Sequence, residues 1–318
     1  MGKIDSSIIA ALVKIVGDNY VLSDKVDLAV YESDAETLDV ARADAVVLPA
    51  STEEVAAVVK LAHQHKIPFT ARGAGTGLSG GATTVHGGIS IVLSRMTKII
   101  AVDPVDRVAC VQTGVTNVAV SEAAKEHGLY FAPDPSSQTA STIGGNVAEN
   151  AGGPHCLKYG MTTNHVLGLK VVLSDGSIVK LGGRARDRQS LDLVGLFVGS
   201  EGTLGIATEA YLKLIPVAKA VQTMLVYFPT MESAGRSVSA IIASGVIPAA
   251  MEMIDRISLN AVEDAHQMGL NRDAEALLIV ELDGPLALIN AQRELIDECL
   301  QKNQALSIKW AENDNERA

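Results

Sequence analysis

The sequence predicts an α+β protein in two domains, divided near Pro216. Before that proline, βαβ units are mixed with runs of consecutive strands, which points away from a doubly wound parallel sheet. After it, strands and helices alternate regularly. Two long stretches rich in Gly, Ser and Thr interrupt the first part. At 318 residues the chain is long for one core and ample for two.

The elements follow in order. Residues 1–17 read as an amphipathic first helix. Ala45 to Leu48 is a strand, and Ser51-Thr52-Glu53-Glu54 is a capping-box signature before a helix with Val55, Val58, Val59 and Ala62 on one face. Ile67 to Ala71 is the next strand, followed by a loop from Arg72 to Gly88. Strands are expected at Ile89–Leu93, Lys98–Asp103 and Arg107–Thr113, then a helix at Thr116–His127 closed by Gly128. Pro133 to Gly153 is a second loop. Val166–Leu173 and Ser177–Leu181, joined through Asp175-Gly176, read as a hairpin. A short helix near Asp192–Phe197 leads to Gly199-Ser200-Glu201-Gly202 and a strand at Thr208–Ile215. Beyond Pro216, strands at Thr223–Phe228, Ala249–Ile254, Ala276–Leu282 and Leu306–Trp310 alternate with helices at Met231–Ser244, Arg256–Met268 and Leu286–Lys302. The last helix is expected to carry Leu288, Ala291, Leu295 and Cys299 on its apolar face.

Composition bounds the function. A hydrophobic content of 47% with 20% charged residues describes a globular chain. The net charge of -11 argues against nucleic acid, because phosphate contacts need clustered Lys and Arg. No apolar run approaches the roughly 20 residues of a membrane span, and the N-terminus does not resemble a secretory signal. Cys110, Cys156 and Cys299 show no CxxC spacing, so neither disulfides nor structural zinc are expected, and a reducing cytoplasm fits. His63, His65, His86, His127 and His165 read as surface, turn or helix-end residues. Arg184, Arg186 and Arg188 read as a solvated loop, and Trp310 as core.

Within the first loop, Gly75-x-Gly77-x-x-Gly80 formally matches the dinucleotide fingerprint. That fingerprint needs a helix to open at the loop, and Ala82-Thr83-Thr84-Val85-His86-Gly87-Gly88 are poor helix formers. The loop reads better as an anion-binding concavity of successive N–H groups, with Arg72 beside it. A second loop, Pro133-Asp134-Pro135-Ser136-Ser137-Gln138-Thr139-Ala140-Ser141-Thr142-Ile143-Gly144-Gly145-Asn146, supplies hydroxyls and amides. Glu201-Gly202-Thr203-Leu204-Gly205-Ile206 is a third turn of this kind. One large bound cofactor explains the three more economically than three unrelated flexible loops.

The three motifs together resemble the FAD-binding PCMH-type flavoproteins, particularly the FAD-binding subunits of glycolate oxidases and the related D-lactate and D-2-hydroxyglutarate dehydrogenases. Pro154-His155-Cys156-Leu157-Lys158-Tyr159-Gly160 and Met251-Glu252-Met253-Ile254-Asp255 strengthen the likeness. The resemblance implies an FAD-binding domain of two α+β subdomains over residues 1–216 and a partial ferredoxin-like α+β cap over 217–318. It assigns cofactor contacts to Arg72, Gly73, Ala74, Gly75, Thr76 and Gly77. It adds Pro133, Asp134, Pro135, Ser136, Thr139, Ser141, Thr142, Gly144, Gly145, Asn146, Ala148, Asn150, Gly152 and Gly153. The third turn gives Glu201, Gly202, Leu204, Gly205 and Ile206. FAD is expected without a covalent link, His155 being a candidate for one only by type, and no metal ligand is expected in these residues.

The implied activity is oxidation of a small 2-hydroxy acid, with electrons passing to an iron–sulfur or FAD-binding partner subunit, or to a quinone. Inner-membrane association would then come through partner subunits. Relatives carry HxGDGNxH and GEHGIG motifs further on, and neither occurs in these 318 residues. The catalytic residues are therefore expected in a missing C-terminal segment. The alternative reading is a truncated, catalytically silent FAD-binding fragment or assembly subunit.

Overall fold

The computed structural model describes residues 4–185, 191–313 and 316. The chain divides into two compact units, one of Met1–Gly153 with Met161–Pro216 and one of Pro154–Gly160 with Val217–Ala318. The sequence reading had assigned 154–160 to the first domain.

The first unit opens with α1 (Ser6–Val16), capped by Asp5, which accepts from the amides of Ser7 and Ile8. Then come β1 (Val21–Leu22), α2 (Lys25–Ala29), β2 (Ala45–Val47), α3 (Thr52–His65), β3 (Phe69–Arg72) and β4 (Ile89–Val92). They form a sheet in the order β1-β2-β4-β3, in which β2 and β3 both run parallel to β4. Strands buried on both faces read as apolar runs, as β2 does; β4 is buried throughout with one serine, Ser90, among its apolar residues. Ser51 Oγ accepts from Glu54 N at 3.1 Å, and the Glu54 carboxylate reaches back to the amide of Ala50. The capping signature thus starts α3, which buries Val55, Val58, Val59 and Ala62 against this sheet.

The rest of the unit adds β5 (Ile99–Asp103), β6 (Val108–Gln112), α4 (Asn117–Ala124), β7 (Leu129–Tyr130) and α5 (Ile143–Glu149). A short α6 (Cys156–Tyr159) belongs to the second unit. Beyond it lie β8 (Val166–Val172), β9 (Ile178–Gly182), α7 (Leu193–Phe197), β10 (Ile206–Lys213) and β11 (Ile215–Pro216). Five of these strands form an antiparallel sheet in the order β5-β6-β10-β8-β9. The hairpin β8–β9 turns through Asp175-Gly176 as expected. Helix α5 was not anticipated. It lies inside the stretch read as a loop, with Ile143 and Val147 buried against Val111, Leu169 and Leu212.

The second unit comprises β12 (Ala220–Phe228), α8 (Met231–Ala243), β13 (Ala250–Asp255), α9 (Arg256–His266), β14 (Ala276–Gly284), α10 (Leu286–Lys302) and β15 (Ser307–Trp310). Its sheet is antiparallel throughout, in the order β13-β14-β12-β15. The two central strands are the first and third of the unit, which is the ferredoxin-like arrangement with α9 added. One face packs Met224, Val226, Phe228, Leu278 and Val280 beneath α8 and α10. Here α10 differs from expectation: it buries Ile289, Ile296 and Leu300 and leaves Leu288 and Leu295 about half exposed. Two adjacent apolar stripes run along this helix, and the pattern alone does not say which one the sheet selects. Trp310 packs at the edge of this core, with the Arg293 guanidinium 4.2 Å from its ring centre.

On the other face, α9 covers Tyr227 and Leu277. Further along, the residues around α6 are held by two carboxylates of β14. Lys158 and Tyr159 both bond Asp283, and His155 Nε2 lies 2.9 Å from Glu281 Oε1.

Glu263 closes α9. Its buried carboxylate accepts from the amides of Leu270 and Gly269, both at 3.0 Å, across the left-handed turn at Gln267. These amides hold its pKa below the ordinary value, the Leu270 bond most of all; that ordinary value is about 4.3. A depressed carboxylate stabilises the fold above its unfolded pKa, and that contribution is lost as pH falls through the folded one. Glu263→Gln should therefore melt lower at neutral pH yet lose less stability between about pH 5 and pH 3 than the parent, which thermal melts across that range would measure.

Candidate cofactor-binding site

Strand β3 delivers the chain into the first loop at Arg72, and β4 takes it back at Ile89. From Gly73 to Ala82 no backbone N–H donates a hydrogen bond to any acceptor among the described residues. None of these residues is fully buried, so water can serve the run when nothing is bound, and it is open to an acceptor from outside the chain. Gly75 permits the turn with φ +72°, and a side chain there would strike the Arg72 guanidinium. Arg72 is itself buried, and its Nη1 donates to the carbonyl oxygens of Ser33 at 2.8 Å and Tyr31 at 3.5 Å. Burial pushes its pKa down, with the Asp34 carboxylate opposing. It is a strut under the loop.

The loop forms one wall of a cavity of about 890 Å³ within the first unit, near the top of the roughly 300–1,000 Å³ range of ligand pockets. Helix α5 forms the facing wall. Thr142 caps it, its Oγ1 accepting from Gly145 N at 3.3 Å. Unlike the loop, this wall has spent its amides, because Ile143 N donates to Val115 O and Gly144 N to Thr113 O. Its glycines therefore act by being small. The two walls meet at both ends of α5. At its start, a Cβ on Gly73 would collide with Thr142 Oγ1; at its end, Ser79 Oγ donates to Glu149 Oε2 at 3.1 Å. Seven helical residues span about 10 Å.

The third motif hangs on the far end of α5, where Gly199 N donates to Val147 O at 2.9 Å and Glu201 N to Ala148 O at 3.0 Å. Three residues of the lining, Thr83, Ser141 and Asn146, each keep a side-chain polar atom buried with no partner among the described residues. The charged lining side chains are Asp34, Arg72, Glu149 and Glu201. With carboxylates in the majority and Arg72 the one cation of the lining among the described residues, an anion here relies chiefly on backbone dipoles.

Of the residues singled out from sequence, the structure brings residues 72–77, Ser136, Ser141, Thr142, Gly144, Gly145, Asn146 and Ala148 to this cavity. Glu201, Gly202, Gly205 and Ile206 join them. It leaves Pro133, Asp134, Pro135, Thr139, Asn150, Gly152, Gly153 and Leu204 outside the lining. Some of these buttress it. Asn150 ends α5 in the left-handed region and accepts from Thr163 N at 2.9 Å, while Gly153 lies where any side chain would overlap the Asp134 carbonyl. Sequence reasoning did not assign Asp34, Thr83, Ser137, Glu149, Phe197 or Thr203, which also line it. His155 does not, being in the second unit. Arg184 pairs with Asp103 and Asp106; Arg186 and Arg188 lie outside the described residues. Among the described residues no cluster of His, Cys, Asp and Glu could hold a metal ion, and no helix is long and apolar enough to cross a membrane.

Comparison with known proteins decides which ligand this cavity serves. Residues 43–182 match the model of an FAD binding domain, and residues 217–318 that of the C-terminal domain of FAD linked oxidases. The chain belongs to the FAD-linked oxidase family. This flavoprotein is 43% identical to glycolate oxidase subunit GlcD of Escherichia coli (strain K12) over 312 residues, 98% of this chain and 62% of that protein. It is 43% identical to a D-lactate dehydrogenase of Anaerostipes hadrus over 217 residues, 68% of this chain and 46% of that one. Among solved structures it resembles alkyldihydroxyacetonephosphate synthase, with a TM-score of 0.82 and 25% identity, over 99% of this chain and 63% of that one. The chain thus spans less than two thirds of the length of these proteins.

FAD is the cofactor, and the lining fits it: unspent loop amides suit a diphosphate. Gly73→Ala should push Thr142 off the α5 cap and weaken FAD binding about tenfold or more, a cap being worth about 1 kcal/mol before any clash is counted. Flavin fluorescence quenching on reconstitution would measure it.

Proposed function

We propose that this flavoprotein oxidises a small 2-hydroxy acid, glycolate or D-lactate, to the 2-oxo acid and passes the electrons to a partner. The observation that carries the reading is the run of acceptor-less amides from Gly73 to Ala82 facing a cavity large enough for FAD. The similarity to GlcD and to a D-lactate dehydrogenase supports the substrate class. An iron–sulfur or second FAD-binding subunit, or a quinone, would take the electrons, and such partners would supply any association with the inner membrane.

Bound FAD supplies a two-electron acceptor for the substrate hydride. The chain's own residues provide the grip. Amides 73–82 would hold the diphosphate, and Arg72 keeps that loop in place by bonding the carbonyls beneath it. Leu93, Phe197 and Ile206 give the lining an apolar component that excludes water. The lining offers no Cys, His or Tyr side chain for a covalent flavin bond, so we infer non-covalent FAD. Cofactor contacts are assigned to those sequence-predicted residues that reach the cavity.

A second reading, an FAD-binding subunit that turns nothing over, is favoured by the same lining. Apart from Arg72, the charged groups lining the cavity among the described residues are carboxylates, with no imidazole or ammonium to take a hydroxyl proton or steady a substrate carboxylate. Anaerobic addition of glycolate or D-lactate to the flavin-loaded protein separates the two. Bleaching of the visible flavin absorbance is the expected result. An unchanged spectrum with both acids would contradict the oxidase reading and leave the silent one.

A further inference from the structure

Between α2 and β2, from Val30 to Asp44, the chain runs without helix or strand on the first unit. Runs of this length are uncommon unless they carry a function. This one is fixed in place. Arg72 holds the carbonyls of Tyr31 and Ser33, and Ala41 N donates to Glu32 O at 2.9 Å. Glu36 N donates to Gly77 O at 3.3 Å, and Thr84 Oγ1 to the Ala41 carbonyl at 3.0 Å. Those last two bonds bring the backbone near Leu38 to Leu78 and the backbone near Val40 to Val85. All four side chains are exposed, from 60% at Val40 to 90% at Leu38. Single apolar residues are ordinary on a surface, but a group held together marks an interaction site. Leu78 and Val85 also line the cavity; Leu38 and Val40 do not, so a ligand filling the cavity does not account for them.

The charge around this group is one-sided. Residues 24–44 hold seven carboxylates against two cations, Lys25 and Arg42, and Arg42 is spent in an ion pair with Glu32. Asp24, Asp27 and Asp39 are exposed. We propose that this surface docks a basic partner protein, one that presents an apolar centre ringed by Lys and Arg. Charge decides among the occupants. A second copy of the chain would set one acidic rim against another, and an anionic lipid surface would be repelled in the same way. A basic partner gains both steering and register from the rim, and the leucines and valines supply the contact it closes on. The inference rests on the reading above and deepens it, giving the electron-accepting partner a surface beside the cofactor cavity and a chemistry.

Cytochrome c, a small redox protein whose exposed haem edge is ringed by lysines, is a probe of that chemistry. Calorimetric titration of it into the FAD-loaded protein, without substrate, should show binding that weakens steeply between about 20 and 200 mM salt. Leu38→Ala and Val40→Ala should each weaken binding about threefold or more through lost apolar contact. Asp39→Lys should weaken it through charge. Val105 provides the control, being 89% exposed elsewhere on the first unit between Asp103 and Asp106. Val105→Ala should bind as the parent does. No binding would overturn the proposal. So would binding that Leu38→Ala and Val40→Ala leave unchanged, because attraction by net charge alone is indifferent to both. A dimer on sedimentation that Leu38→Ala dissociates would overturn it in favour of a second copy. Phosphatidylglycerol vesicles that retain the parent and release that variant would overturn it in favour of a membrane. Each result is read without turnover, so failure here leaves the bleaching test standing, and an unbleached flavin would defeat the reading beneath it instead.

Discussion

An unpaired stretch of backbone organises the first unit. Between β3 and β4, the amides of residues 73–82 find no acceptor among the described residues, whereas the first amides of α5 are bonded to Val115 and Thr113. Water can serve these half-exposed amides in the empty protein, and a bound anion can replace it. The surrounding features shape the loop for that exchange: Arg72 braces the loop from below, Gly75 lets it turn left-handed, and Gly73 lets it approach Thr142 closely.

Helix α5 is the counterpart. It is short, its first amides are tied to Val115 and Thr113, and its last carbonyls carry Gly199 and Glu201. One helix thus fixes the second and third motifs relative to each other and to the strand ends from which they spring. Anion binding and shape are divided between the two walls, the loop providing dipoles and the helix providing a close surface. This differs from the dinucleotide fold in which one glycine loop runs straight into the helix that serves it. Here loop and helix come from separate parts of the chain, Arg72 and Thr142 being 70 residues apart.

Much of this was legible in the residues. Long apolar runs, the capping signature before α3 and the Asp175-Gly176 turn located their elements because each rests on local chemistry. The glycine motifs pointed to the cavity for the same reason. Helix α5 was hidden because Gly, Ser, Thr and Asn dominate its neighbourhood and seven residues give too little periodicity to read. The signals that could have revealed it are Thr142 as a cap, Ile143 and Val147 four apart, and Asn150 as a left-handed stop. The buried stripe of α10 was misjudged because adjacent faces are both apolar and only the sheet chooses between them. Arg72 was singled out beside the loop and lines the cavity; its bonds to carbonyls some 40 residues earlier are announced by no local pattern. The placement of 154–160 with the second unit rests likewise on Glu281 and Asp283, far along the chain.

The central claim is that the 73–82 amides are filled by the cofactor and the 143–144 amides are not. Hydrogen–deuterium exchange of the apoprotein with and without FAD tests it directly. The account predicts that FAD slows exchange across 73–82 markedly while leaving Ile143 and Gly144, already bonded to Val115 and Thr113, little changed. Unchanged exchange in 73–82 at saturating FAD would contradict it.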